Sequence, residues 1–241
     1  MSMSLFLFLL VTTIVAATRW PLPPALPTLE LRYPSTPWIS PGDTLKRPKT
    51  LQLPCIGTEN LDITRTHLLL FIDLDVIWGT RSTTVLHWYQ PDMTVSRVCA
   101  CTDDGIDWLV NATSPGAEYI APQPPPLTRH RYVYLLYEQD PEYVFPECFG
   151  HIFPQTMEAR AGFDIRQFVH AAGLRPPVAG NFFFVDNDES TTRTMTTTPP
   201  GREMSTTTWL TSAPCRTDDV EPTPSAYTEQ YDGVENQQIV I

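Results

Sequence analysis

Residues 122–139, PQPPPLTRHRYVYLLYEQ, set a proline run directly against a strand. The prolines fix φ and remove amide donors, so residues 122–126 cannot enter the interior of a sheet. Residues 131–137, RYVYLLY, are aromatic and apolar, too short for a good helix and rich in strand formers. His130 sits at the junction. Side chains two apart on a strand share a face, so His130 and Tyr132 point the same way and Arg131 points the other. An imidazole and a phenol at the mouth of a loop make a small pocket.

Other strands read from the same pattern. Residues 66–73, THLLLFID, fit a strand buried on both faces, although periodicity alone leaves a buried helix open. If the extended geometry runs on, the carboxylates of Asp73 and Asp75 face one side. Residues 84–90, TVLHWYQ, predict a second strand, with His87 and Tyr89 on one face and Trp88 on the other. Residues 51–55, LQLPC, read as a short edge strand, and residues 18–50, punctuated by proline, as an extended segment over the surface. Residues 91–118 read as a surface excursion carrying a glycosylation sequon at Asn111, and residues 140–162 as a loop. Asp164 caps a helix over residues 164–172, with Ile165, Phe168, Val169 and Ala172 on its apolar face and Gly173 ending it. Residues 176–185, PPVAGNFFFV, give a proline break and a last buried strand.

Residues 1–17 read as a cleaved secretory signal: an uncharged apolar run followed by small residues. Residues 187–241 are rich in Thr, Ser and Pro, with nine acidic and three basic residues, and read as a disordered acidic tail. One domain is left, over residues 18–186. The net charge of −11 argues against nucleic acid as a partner, since phosphate binding needs clustered Lys and Arg; the same shortage weakens membrane binding. Secretion permits disulfides among Cys55, Cys99, Cys101, Cys148 and Cys215, and the odd count leaves at least one unpaired within the chain. A lone Cys-x-Cys is a weak metal signal, so no metal and no cofactor is expected.

Three blocks resemble the phosphatidylethanolamine-binding protein (PEBP) family. One is YIAPQPP at 119–125 with HRY at 130–132 and YEQ at 137–139. The second is Asp73 and Asp75 followed by His87-Trp88. The third is PVAGNFF at 177–183, whose wording is similar to fungal members. Ala121 stands where the family usually has Gly, and Leu74 where it usually has Pro. The resemblance implies a mainly β fold of antiparallel sheets packed face to face, with peripheral helices including one in the C-terminal region. It also implies a ligand pocket of Asp73, His87, His130 and Tyr132, with Asp75 nearby and the Ala121-Pro122 backbone at the rim. Family members bind phosphate, phosphorylated head groups and similar small anions there.

The residue types suit such ligands, because imidazole N–H and phenol O–H groups donate to anionic oxygens. Asp73 is expected to orient and charge His87, and phosphate to bind more tightly near pH 5 than pH 8. Asp75 reads as a structural hydrogen-bond acceptor near the pocket, and Arg131 as a structural ion-pair partner. No Gly-x-Ser-x-Gly elbow, His-Glu-x-x-His or Gly-rich phosphate loop is present, so the reading is a binding protein without a nucleophile or metal of its own. An Asp/His/Tyr pocket is able to move protons, though the sequence does not require it. Some fungal relatives assist the coupling of maleic-anhydride polyketide monomers, the maleidride type, and the resemblance implies such an accessory role, with a biosynthetic enzyme as partner. The alternative is a secreted inhibitor of a serine carboxypeptidase, or a phospholipid head-group-binding interaction protein.

Overall fold

In the computed structural model, residues 22–96, 106–111 and 115–189 are described. The predicted signal, Cys99, Cys101, Cys215 and the tail from residue 190 onward lie outside them. The described residues build one eight-stranded sheet: β1 (Glu30–Arg32), β2 (Thr44–Lys46), β3 (Cys55–Thr58), β4 (Thr66–Trp78), β5 (Arg81–Ser96), β6 (Asp107–Asn111), β7 (Arg129–Gln139) and β8 (Ala179–Asp186). Their spatial order is β1-β3-β6-β5-β4-β7-β8-β2. Every pairing is antiparallel except β2 with β8, which is parallel. The expectation of antiparallel sheets packed face to face is thus corrected to a single mixed sheet, one face of which is covered by non-strand segments and the other partly by its own edge strand β1.

Strand β4 runs through the centre, and Leu68 to Ile72 are all buried. One face, with Leu68, Leu70, Ile72, Val133 and Leu135, packs against Phe149, Phe163, Ile165 and Phe168. Of these, Phe149 comes from a 3-10 turn over Glu147–Ile152, and Ile165 and Phe168 from helix α2 (Ile165–Ala171). Asp164 caps α2 by accepting from the amides of Arg166 and Gln167, and Gly173 leaves it in the left-handed region at φ 62°. The loop expected over residues 140–162 also holds a short helix, α1 (Met157–Arg160).

The other face is aromatic. Leu69, Phe71, Trp88, Tyr132, Tyr134 and Phe183 pack against Leu29, Leu31, Tyr33 and Ile39. The N-terminal segment is therefore core, not surface covering, and it supplies both edge strands, β1 and β2. Its three-residue strands are too short to show a period. Residues 51–54 form no strand; β3 begins at Cys55 and lies inside the sheet between β1 and β6. The excursion predicted over 91–118 contains the end of β5 and all of β6, with Asn111 at the end of β6. Cys55 and Cys148 are each disulfide-bonded.

Strands β4 and β5 run on past the end of β7 as a hairpin. Trp78 pairs with Arg81, and Gly79 turns the chain at φ 64°. Residues 76–83 form the end of this ribbon, with Ile77 and Trp78 exposed near its tip.

Candidate functional site

Two irregularities in the β4–β5 ladder decide which side chains meet. Phe71 pairs with Trp88, but Ile72 pairs with Leu86. His87 is therefore the extra residue of a β-bulge. The bulge places His87 on the face of Trp88, against the rings of Phe71 and Tyr132 at 5.4 and 5.3 Å between centroids. Tyr89 lies on the opposite face, within the other core. This reverses the expected grouping of His87 with Tyr89, because strict alternation fails across the extra residue. The backbone that the bulge frees is taken up by Ile120, whose amide donates to the His87 carbonyl at 2.8 Å. In return the His87 Nδ1–H donates to the Ile120 carbonyl at 2.8 Å. Gly116 permits this close docking of the 115–120 segment, since a Cβ there would lie 2.0 Å from the Tyr89 carbonyl oxygen.

The second irregularity falls between Asp73 and Val76, where β4 carries one residue more than β5. It breaks the alternation that would have set Asp73 and Asp75 side by side. Asp75 turns to Arg131: Oδ1 accepts from the guanidinium at 2.6 Å and Oδ2 from the Arg131 backbone amide at 2.7 Å. Burial pushes the Asp75 carboxyl up, but the hydrogen bonds from Arg131 outweigh it and hold the carboxyl below its ordinary value. Asp75 and Arg131, each read from the sequence as structural with no partner named, are each other's partner.

Asp73 is held differently. Its Oδ1 accepts from the backbone amide of Asp75 at 2.9 Å, and its Oδ2 accepts from His130 Nδ1 at 2.9 Å. The same Oδ2 lies 3.9 Å from His87 Nε2. Tyr132 stands opposite Asp73 in the β4–β7 ladder, so its ring shares that face. Its hydroxyl lies beside the Asp73 carboxylate and the Gln123 backbone amide, yet is buried without a well-formed hydrogen bond to either. Burial and the neighbouring carboxylate raise the phenol well above its ordinary value, so it stays an O–H donor. Asp73, His87, His130 and Tyr132 thus come together as the sequence predicts. All four are buried, and the His130 side chain keeps 8% of its surface at the mouth. Pro122 is buried and Ala121 half-buried beside them. Ala121 avoids positive φ, so alanine is unstrained where glycine was expected.

The electrostatics revise one expectation. Burial pushes the His87 imidazole below its ordinary value, against the pull of Asp73 and of the Ile120 carbonyl. His87 is held neutral, and the hydrogen bond to Ile120 fixes its tautomer. Its Nε2 is then a lone-pair acceptor, buried and unpartnered. Asp73 bonds to His130 rather than charging His87, so the expected gain in anion binding at pH 5 loses its His87 half.

Two functional neighbours gave no sequence signal. Arg160, fully buried, donates from Nε to the Ile152 carbonyl at 2.8 Å and from a terminal nitrogen to the carbonyls of Glu118 and His87 at 2.5 and 3.3 Å. It ties three chain segments behind His87. Burial lowers its guanidinium from the ordinary value. Asn187 donates from its side-chain amide to the Pro124 carbonyl at 2.8 Å, and its own carbonyl accepts from Leu127 at 2.7 Å. It pins the proline loop and belongs to the folded domain, one residue past the boundary read from composition.

Residues 35–183 match the family model described as phosphatidylethanolamine-binding protein. Two curated relatives are each called "Phomoidride biosynthesis cluster protein N". One, from Fungal sp. (strain ATCC 74256), is 40% identical over 124 residues, covering 49% of this chain and 52% of the relative. The other, from Talaromyces stipitatus, is 40% identical over 120 residues, covering 48% and 57%. The match spans little more than half the length of these relatives. Among solved structures, a carboxypeptidase Y inhibitor complexed with its cognate proteinase has the same fold, with a TM-score of 0.51 at 20% identity over 67% of this chain and 83% of that one.

Proposed function

The chain belongs to the phosphatidylethanolamine-binding protein family, and from that premise we propose that it is an accessory protein of fungal specialised-metabolite biosynthesis. In this reading it binds a small acidic ligand between Asp73, His87, His130 and Tyr132 and assists the coupling of maleic-anhydride polyketide monomers of the maleidride type. The observation that carries the reading is the 40% identity to two relatives named for phomoidride biosynthesis clusters. The site's chemistry supports it. Tyr132 offers an O–H donor and His87 Nε2 an acceptor, both buried and unpartnered. Together they match a carboxyl group that presents one acceptor oxygen and one O–H. Asp75 acts only through Arg131 in this reading.

Deletion of the gene in its host, with culture extracts compared by mass spectrometry, tests the proposal. Loss of a dimeric anhydride with accumulation of its monomers is expected; an unchanged metabolite profile refutes it. The carboxypeptidase-inhibitor alternative rests on shared fold alone, and a direct inhibition assay separates it. Passage through the secretory pathway belongs to the same proposal. It draws support from residues 1–17 and from the disulfide-bonded Cys55 and Cys148. Loss of mass on glycosidase treatment would place a glycan at Asn111.

A further inference from the structure

Resting on the binding reading above, we propose that this site is itself a proton-transfer catalyst, with His130 as a general base acting on a C–H conjugated with a carbonyl, next to it or across one C=C bond. The Asp73 carboxylate accepts the His130 Nδ1–H at 2.9 Å and is fixed from its other oxygen by the Asp75 amide. A buried carboxylate holding Nδ1–H sets the tautomer of an imidazole, leaves Nε2 as the basic nitrogen, and stabilises the imidazolium once a proton arrives. The dyad has the base and its orienting acid, and among the described residues no serine, threonine or cysteine side chain is hydrogen-bonded to His130. Its work is therefore proton abstraction rather than acyl transfer.

The remaining groups fit such a reaction. In the step, His130 Nε2 takes a proton from the carbon, the C–H bond breaks and an N–H bond forms. The electron pair moves onto the carbonyl oxygen, through the intervening C=C where there is one, as an enolate or dienolate. The Tyr132 hydroxyl, buried and unpartnered, donates to that oxygen as negative charge develops. The neutral His87, with Nδ1–H committed to Ile120, accepts from an acidic O–H on the same ligand and orients it. No oxidant, metal or second reactant is needed, and return of the proton regenerates His130. The substrate class is an enolisable small carboxylic acid, including one that also carries a cyclic anhydride. The enolate carbon so formed is the nucleophile that a coupling reaction requires.

The experiment uses the full chain with dimethylmaleic anhydride and its open diacid in D2O. Proton NMR follows loss of the methyl protons, and saturation-transfer NMR follows binding. Saturable, protein-dependent deuterium incorporation is expected, falling at least ~100-fold in His130→Gln while the probe still binds. Tyr132→Phe, nearly isosteric in a packed site, is expected to slow exchange about 10-fold or more. Asp73→Asn is expected to slow it and to shift its pH profile, which a merely structural aspartate would not do. A probe that binds yet exchanges at the solvent rate overturns the proton-transfer proposal and leaves the binding reading standing. Exchange undiminished in both His130→Gln and Tyr132→Phe overturns the assignment of roles. A probe that does not bind overturns both the proposal and the ligand class on which it rests.

Discussion

Asp73 and Asp75 stand two residues apart on one strand, each with a basic residue of β7 as its partner, and they end in opposite situations. Asp75 meets Arg131, and both its oxygens are filled by the guanidinium and the backbone amide of one residue. Asp73 meets His130, and around it stand two buried polar atoms with no partner, His87 Nε2 and the Tyr132 hydroxyl. A buried polar group left unsatisfied costs free energy, so native structures keep few of them. Where several converge on one carboxylate, a ligand can supply what is missing. The saturated pair is part of the frame; the unsaturated cluster is where chemistry can be added. One residue of bulge separates the two.

Substitutions can pull this contrast apart. The largest effect is expected from Asp73→Asn, which leaves one acceptor oxygen for two donors, the Asp75 amide and His130 Nδ1–H, removes the charge that stabilises the imidazolium, and lowers the exchange rate about 10³-fold. Chemical denaturation should show a much smaller change in stability. Phe71→Ala comes next and undercuts the Asp73 cluster from below. Phe71 stacks on Tyr134 at 4.0 Å and contacts His87 and Tyr132, so its removal should cost about 3–5 kcal/mol, read by urea unfolding.

Asp75→Asn is the converse of the first change. It leaves Arg131 without its counter-charge and should cost about 2 kcal/mol in urea unfolding, with methyl exchange retained. The acid limb of stability sharpens this further. The Asp75 carboxyl is lowered in the folded state, so its contribution is present above the unfolded carboxylate value and is lost as pH falls through the folded one. Thermal melts from pH 5 downward should be flatter in Asp75→Asn than in the wild type.

His87 titrates in a higher window. Its folded value is depressed, so above the ordinary histidine range neither state binds a proton there. As pH falls below that range the unfolded chain takes up a proton that the folded one refuses. Stability should therefore fall between pH 7 and pH 5, and His87→Phe should remove part of that slope in melts across the same interval. The smallest effect is expected from Ala121→Gly, about 0.5–1 kcal/mol of destabilisation through the unfolded chain, since Ala121 already has an unstrained backbone.

Much of this was legible in the sequence because the central strands carry long apolar runs that only a doubly covered strand explains. The β4, β5, β7 and β8 cores, the α2 helix with its Asp164 cap, and the four site residues all follow from that pattern and from the family resemblance. The bulge at His87 did not show, because one extra residue leaves the composition of LHWY unchanged while it moves a side chain to the other face. Strands β1 and β2 escaped because three residues between prolines give no period. Arg160 looked like any charged residue in a loop; its burial depends on the carbonyls of His87 and Glu118, brought from distant parts of the chain, and on that of nearby Ile152. Asn187 was assigned to the acidic tail by composition, although its side chain closes a loop more than sixty positions earlier.

That last contact has a consequence for how the protein is made. Synthesis delivers the chain from its N-terminus, and domains fold as their segments emerge. Strands β4 and β5 and the proline loop leave the ribosome well before β8 and Asn187. The loop that borders the site therefore cannot be fastened until nearly the whole domain has appeared. Until then the Asp73 cluster lacks its finished rim, and a chain broken off before residue 187 would carry every site residue without the clasp that closes the loop beside them.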